Sequence, residues 1–188
     1  TSVYFDAAND YYHRVGYNLA SNTTTQKSTE ATSLNGEENK SLTSSSAIYT
    51  LGRRTVDNRF DPTEGSLFEI TEEYSGLGGD VNYLKTNLRS AYYKPFAFRK
   101  FVLGIRGELG YVDGLGDKVS QSARFTLGGR RLRGFDSGGI GPRDSGSGSA
   151  VGGNKVYSGS VEIISNFCLS DDLGLRWTVF SDFGSVWE

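Results

Sequence analysis

Four arginines lie in one glycine-rich stretch of the chain, GGRRLRGFDSGGIGPRD, which runs from Gly128 to Asp144. The arginine guanidinium is planar and forms bidentate ion pairs with carboxylates, so this stretch could bind acidic side chains. Two carboxylates occur in later segments that alternate like β-strands, Glu162 in NKVYSGSVEII and Asp182 in LGLRWTVFSDFGSVW. Arg133 could bridge them if the stretch folds onto those strands, and a solvated arginine cluster is the alternative.

The glycines of this stretch predict tight bends and positive φ angles rather than ligand binding. A phosphate-binding loop would need the pattern G-x-x-x-x-G-K-[ST] between a strand and a helix, and the sequence contains no such pattern. The residues expected to shape the loop are Gly128, Gly129, Gly134, Phe135, Gly141 and Pro142.

A second turn is predicted at Asp61, Pro62 and Gly65, because proline fixes φ and glycine permits a tight bend. A calcium site formed by Asp57, Asp61 and Glu64 is the alternative, and a plain polar turn is favoured.

Other chemistry finds little support in the sequence. His13 is the sole histidine and no serine stands in a G-x-S-x-G pattern, so no catalytic residues are predicted. Cys168 is the sole cysteine, which excludes an internal disulfide and a cysteine-based zinc cluster, and it is expected near one rim of the fold. No metal and no cofactor are predicted. The formal net charge of -2 gives no sign of nucleic-acid binding.

Hydrophobic periodicity predicts antiparallel β-strands along most of the chain. In FVLGIRGELGY the residues Phe101, Leu103, Ile105 and Leu109 share one face, whereas the other face carries charge and glycine. About seven strands are expected. They cover Val3–Ala20, Thr43–Asn58, Ser66–Tyr74, Val81–Lys94, Phe101–Asp113, Asn154–Phe167 and Leu173–Trp187. The first of them could be shorter, because Asp6–Asp10 is a polar interruption.

The predicted strands are long and their connections alternate between short turns and long loops, of which 21–42 and 114–153 are the longest. This asymmetry is typical of a transmembrane β-barrel, in which the apolar face meets lipid and the charged face lines the lumen. A soluble carbohydrate-binding β-sandwich is the alternative, with the apolar face inward. The aromatic residues Tyr92, Tyr93, Trp177 and Trp187 are candidates for the membrane interface.

The glycine–arginine stretch, followed by VGGNKVYSGSVEI and VFSDFGSVWE, resembles the family of BamA-type outer-membrane assembly factors in the bacterial surface antigen superfamily. The resemblance covers roughly 44–187 and is strongest to alphaproteobacterial members. It implies that a loop carrying Arg133, Gly134 and Phe135 folds back into the barrel, where the arginine pairs with Glu162 and Asp182. The segment NFCLSDD departs from the family pattern, which has a proline-containing turn there.

The resemblance also implies a sixteen-stranded barrel, of which this chain holds the seventh to thirteenth strands. The terminal strands and the periplasmic domains would then lie outside 1–188. The implied function is non-enzymatic insertion and folding of other outer-membrane proteins. The implied partners are nascent outer-membrane proteins, outer-membrane lipids, accessory assembly lipoproteins and periplasmic chaperones, with no nucleic acid. The implied location is the bacterial outer membrane, with long loops extracellular and short turns periplasmic. A two-partner-secretion or TamA-like transporter of the same superfamily is the nearer alternative.

Overall fold

The computed structural model describes residues 2–6, 9–25, 39–116, 118–165 and 176–188. These residues form eight β-strands and two short 3-10 turns. The strands are β1 Ser2–Asp6, β2 Tyr11–Thr25, β3 Asn39–Arg54, β4 Gly65–Ser75, β5 Tyr83–Phe96, β6 Phe101–Gly114, β7 Lys155–Ser165 and β8 Trp177–Trp187. Within the described part of the chain, no helix is long and apolar enough to cross a membrane.

All eight strands belong to one antiparallel sheet, and their order in the sheet follows their order in the chain. The prediction of an all-β antiparallel architecture is therefore confirmed. Each strand pairs with the next in an unbroken register, for example Arg106 with Ser160 between β6 and β7, and Ser160 with Asp182 between β7 and β8. The short connections 55–64 and 97–100 meet at one end of the sheet, and the long connection 115–154 lies at the other.

The strand count differs from the sequence-based expectation of seven. The first expected strand is two strands, because Asn9 and Asp10 adopt left-handed φ angles of 63° and 65° that turn the chain between β1 and β2. The expected loop 21–42 is also shorter, since β2 continues through Thr25 and β3 begins at Asn39. Serine and threonine dominate these extensions, and threonine readily occupies strands. The turn around Cys168 lies outside the described residues.

The two faces of the sheet carry opposite chemistry. One face, here called the exposed apolar face, presents large hydrophobic side chains to the surroundings, including Ile105, Leu109, Val161 and Val179. The opposite face, here called the covered face, carries carboxylates, arginines and glycines beneath the connection 115–154. A soluble sandwich places its apolar face inward, so this arrangement is the reverse of a sandwich.

Aromatic side chains lie at both ends of the exposed apolar face. Near the short turns Phe101 stacks on Phe96 at 5.5 Å and meets Trp177 edge-on at 5.9 Å. Near the long connection Tyr157 meets Trp187 edge-on at 5.8 Å. A strand as long as β8, with 11 residues, reaches about 35 Å and spans about 25 Å at a tilt of ~45°. That height matches the apolar band of an outer-membrane barrel.

Tyr93 does not belong to these aromatic ends, contrary to the expectation from sequence. Consecutive residues of a strand face opposite sides, so Tyr92 points outward and Tyr93 lies on the covered face. There its ring fills the space above Gly104, where a Cβ would lie 3.2 Å from the ring.

The hydrophobic core lies between the covered face and the connection 115–154. Five of its buried residues belong to that connection, namely Val119, Ala123, Phe125, Leu127 and Leu132. They pack with Val81, Tyr83, Val112, Val156 and Val186, which lie on the strands or just before β5. The long connection is therefore an ordered, packed element, and burial of its apolar side chains holds it to the sheet.

Candidate functional site

The connection 115–154, here called the arginine loop, follows the covered face because glycines let it approach closely. A Cβ at Gly110 would lie 2.7 Å from the Phe125 ring, and one at Gly184 would lie 2.9 Å from Leu127. Both glycines belong to strands, so the sheet surface is recessed where the loop packs against it.

Arg133 lies in this loop and donates hydrogen bonds to carboxylates on two strands. Its Nε and Nη2 atoms donate to Asp182 at 2.7 and 2.6 Å, in bidentate geometry, and its backbone N–H donates to the same carboxylate at 3.0 Å. Nη2 also lies 2.7 Å from Glu162 and 2.9 Å from the Ser160 hydroxyl. The structure thus brings Arg133, Glu162 and Asp182 into one contact group on β7 and β8.

The Arg133 guanidinium also lies over an aromatic ring. Its central carbon is 3.5 Å from the centroid of Phe180, which is two residues before Asp182 on the same face of β8. A cation over the face of an aromatic ring is attracted to it. Because Arg133 has an aromatic neighbour as well as two carboxylates, both its position and its orientation are fixed.

Glu162 has a second arginine partner that belongs to the sheet. Arg106 on β6 donates to it at 2.5 Å. The side chain of Glu162 is only 8% exposed, and burial of a charge is costly unless it is paired. One arginine from the strands and one from the loop provide the counter-charges.

Glu108 repeats this arrangement nearby. Arg131 of the loop lies 3.2 Å from it, and Arg89 of β5 lies 3.8 Å from it. The Glu108 side chain is 11% exposed. Glu162, which is buried, and Glu108, which is largely buried, therefore each bind one strand arginine and one loop arginine.

The glycines predicted to shape the loop adopt the conformations that require glycine. Gly128 has a φ of 134° and Gly141 a φ of 115°, and a Cβ at Gly128 would lie 1.9 Å from the Asp136 carbonyl oxygen. Gly129 and Gly134 also have positive φ. The Gly129 N–H donates to the Phe135 carbonyl at 2.8 Å, which closes the turn that presents Arg133.

Phe135 and Pro142 contribute backbone contacts to the loop. Phe135 is half exposed. Its contribution to the turn is its backbone carbonyl, which accepts the hydrogen bond from the Gly129 N–H. Pro142 accepts a hydrogen bond from the Val151 N–H at 3.0 Å, which joins the two sides of the loop tip.

The second predicted turn is organised by Asp57, which lies outside the strands. Its carboxylate accepts hydrogen bonds from the Thr63 hydroxyl at 2.6 Å and from the N–H groups of Thr63 and Glu64. The Thr63 hydroxyl and then these N–H groups hold the pKa of Asp57 well below its usual range. Gly65 has a φ of 106° and packs on the Thr55 carbonyl.

The other two carboxylates of this turn bind arginines of neighbouring connections. Asp61 pairs with Arg176, and Glu64 lies 3.0 Å from Arg99. Pro62 lies beside them, partly buried. Each carboxylate of the alternative calcium site therefore binds its own protein partner. Among the described residues, the three carboxylates do not form a cluster that could hold a metal ion.

Arg106, Ser160 and Phe180 are site residues that the sequence did not single out. Period-two alternation already placed Arg106 and Phe180 on the face that carries Glu162 and Asp182. Their contacts with the site depend on the β6–β7 and β7–β8 registers, and the first of these is set across a loop of about forty residues.

The arrangement is a set of ion pairs that fixes a loop against a sheet, on the face opposite the apolar one. Over its entire length, residues 1–188, the chain matches the model of the Omp85 superfamily domain. The chain belongs to the Omp85 superfamily. The covered face is accordingly the lumenal face of an Omp85 barrel, and the exposed apolar face is its lipid-facing side.

Relatives with established names agree with this assignment. The chain is 31% identical over 143 residues to the outer membrane protein assembly factor BamA of Neorickettsia risticii and 34% identical over 145 residues to that of Nitratidesulfovibrio vulgaris. These alignments cover 76% and 75% of the chain but only 19% and 18% of the relatives. The chain thus spans less than a fifth of the curated relatives it matches.

A solved structure shares the fold. The crystal structure of BamA from Haemophilus ducreyi lacking POTRA domains 1–3 superposes on this chain with a TM-score of 0.78 at 22% identity. The match covers 100% of this chain and 41% of that chain. The fold is therefore that of a segment of an Omp85 barrel.

Proposed function

We propose that the protein containing this chain is an outer-membrane assembly factor that inserts and folds other β-barrel proteins without covalent catalysis. In this proposal the chain is a consecutive part of a sixteen-stranded barrel in the bacterial outer membrane. Its long loops face the cell exterior and its short turns face the periplasm. The chain contributes a rigid wall and a loop that braces the lumen.

The observation that carries the proposal is the contact group of Arg133 with Glu162 and Asp182 on the lumenal face. A loop held by several charge-assisted hydrogen bonds and by its own apolar core occupies the lumen, and such occupation disfavours a freely open pore. The relatives named BamA, at about 30% identity, support assembly of membrane proteins rather than passive diffusion.

The mechanism in this proposal is physical. A barrel wall perturbs the surrounding lipid, and strand edges elsewhere in the full-length protein offer backbone N–H and C=O groups to an incoming strand. The proposed partners are nascent outer-membrane proteins and outer-membrane lipids, together with accessory lipoproteins and periplasmic chaperones that deliver or position the clients.

Depletion of the full-length protein tests this proposal against the transporter alternative of the same superfamily. We expect many different barrel proteins to decline together in the outer membrane, as measured by quantitative proteomics of isolated membranes. A decline confined to one secreted passenger, with barrel proteins at normal levels, would instead identify a two-partner-secretion or TamA-like transporter.

A further inference from the structure

Lys85 lies on the lumenal face of β5, and its specific contacts belong to the arginine loop. Its Nζ atom donates a hydrogen bond to the Ala123 carbonyl at 2.8 Å. The same ammonium lies 4.4 Å from the centroid of the Phe125 ring. Among the residues that the structure describes, no carboxylate lies within ion-pair distance of Lys85, although Glu73 is its register neighbour on β4.

One oxygen of the Glu73 carboxylate, Oε1, binds two other donors. It accepts hydrogen bonds from the Ser46 hydroxyl at 2.9 Å and from the Tyr83 hydroxyl at 2.8 Å. The lysine ammonium contacts the loop instead, where a carbonyl oxygen and an aromatic face stabilise its charge.

Phe125 is one of the points at which the two sides of the arginine loop join. Its N–H and carbonyl both pair with Gly153, at 2.8 and 2.9 Å. The ring is 4% exposed and fits over Gly110, where any Cβ would collide with it. A contact that fixes Phe125 therefore fixes both sides of the loop at once.

These contacts lie apart from the Arg133 group. Lys85 pairs with Val112 in the β5–β6 register, near the end of those strands from which the loop departs. The carboxylates that bind Arg133 lie on β7 and β8, and Asp182 is five residues from the end of β8, or about 17 Å along the strand. The contacts of Lys85 and those of Arg133 thus hold the loop at two separated places on the wall.

We propose that Lys85 is a positioning residue, which with Phe125 and Gly110 holds the base of the arginine loop so that Arg133 reaches Glu162 and Asp182. This role rests on the proposed bracing of the lumen by the loop. It is separable from the Arg133 ion pairs, because none of its three residues contacts them.

Limited trypsin digestion of the folded full-length protein in detergent micelles tests the proposal. Trypsin cleaves after Arg130 and Arg131, which are exposed on the loop. The rate of this cleavage reports how often the loop detaches from the lumenal face and opens locally. We expect Lys85→Met to raise this rate about tenfold, since it removes one charge-assisted hydrogen bond and one cation–aromatic contact. Lys85→Arg should restore most of the protection, because it keeps the charge, the donors and the aromatic contact.

The matched control is Lys94→Met, on the same strand but on the lipid-facing side, and it should leave the cleavage rate unchanged. Phe125→Leu should raise the rate, and the Lys85→Met and Phe125→Leu double variant should be no faster than the faster single variant. The heat-dependent shift in gel mobility shows that each barrel is folded. If Lys85→Met does not assemble, Lys85→Gln replaces it, with the same direction expected.

A cleavage rate in Lys85→Met equal to that of wild type or of Lys94→Met would overturn the proposal. So would fully multiplicative effects of Lys85→Met and Phe125→Leu, or the absence of rescue by Lys85→Arg. Digestion does not depend on what the protein assembles. A failed digestion result therefore removes the positioning role alone, whereas normal barrel-protein levels after depletion remove the assembly function alone.

Discussion

Reversal of the Arg133–Asp182 pair gives the most direct test of the loop–wall contact. Asp182 is 5% exposed and accepts three hydrogen bonds from Arg133. Removal of one partner of a buried, hydrogen-bonded ion pair costs about 3–5 kcal/mol, and the lower end applies because the Arg133 side chain is 29% exposed. Arg133→Glu should therefore shift the equilibrium between seated and released loop by about 150-fold toward release.

The variants Arg133→Glu, Asp182→Arg and the double swap would replace the native gene in the full-length context. Growth and the amounts of outer-membrane barrel proteins are the readouts. We expect both single variants to lose growth and barrel-protein levels. The double swap should restore them only partly, because a carboxylate at position 133 would lie beside Glu162. Addition of Glu162→Gln to the double swap should therefore improve the recovery.

The matched control is Arg130→Glu, which changes the same charge three residues away. Arg130 is exposed and, within the described ranges, forms no ion pair with a carboxylate. It should grow like wild type. A silent Arg133→Glu, or a double swap no better than either single variant, would refute the reasoning that the contact holds the loop.

Three further predictions concern the loop turn, the short turn and the membrane interface. Gly128→Ala should release the loop and raise its trypsin sensitivity, because the φ of 134° strains any L-residue and the new Cβ would overlap the Asp136 carbonyl; normal sensitivity would contradict this. Asp57→Asn should speed amide hydrogen exchange at Thr63 relative to wild type. The folded pKa of Asp57 lies below its usual value of 3.8, so its stabilisation is complete above that value and is lost as the pH falls through the folded pKa. The exchange difference should shrink in that acidic range, and a difference independent of pH would exclude the charge as its cause. Trp187→Ala should weaken anchoring at the loop-side interface and lower the temperature at which the folded barrel loses its gel shift, whereas an unchanged temperature would show that this tryptophan does not anchor the barrel.

The alternation of side chains along the strands carried most of what could be predicted from the sequence. It placed Glu162 and Asp182 each on the face of its own strand opposite the apolar side chains, because strand residues two apart share a face whatever the surrounding fold. It placed Ile105 and Leu109 on the opposite face for the same reason. The alternation between short turns and long loops then indicated a membrane barrel, in which the apolar face meets lipid.

Details that depend on register or on local backbone conformation were beyond the sequence. The sharing of Glu162 by Arg106 requires that Gly104 pair with Glu162, and nothing in the residues themselves specifies that pairing across the arginine loop. The turn at Asn9 and Asp10 uses left-handed backbone in residues other than glycine, so no glycine marked it. The Lys85 contacts likewise appear only once the loop path is known.

The unequal number of counter-ions on the two carboxylates decides how the loop could be displaced. Glu162 retains Arg106 when the loop withdraws, whereas Asp182 has no other arginine or lysine partner among the described residues. The electrostatic cost of withdrawal is therefore concentrated at Asp182, which lies on β8 at one edge of the described sheet. Any cation that reached Asp182 from the neighbouring part of the barrel would compete directly with Arg133. Many contacts hold the loop in place, yet a competing cation at this single carboxylate would favour release of the loop.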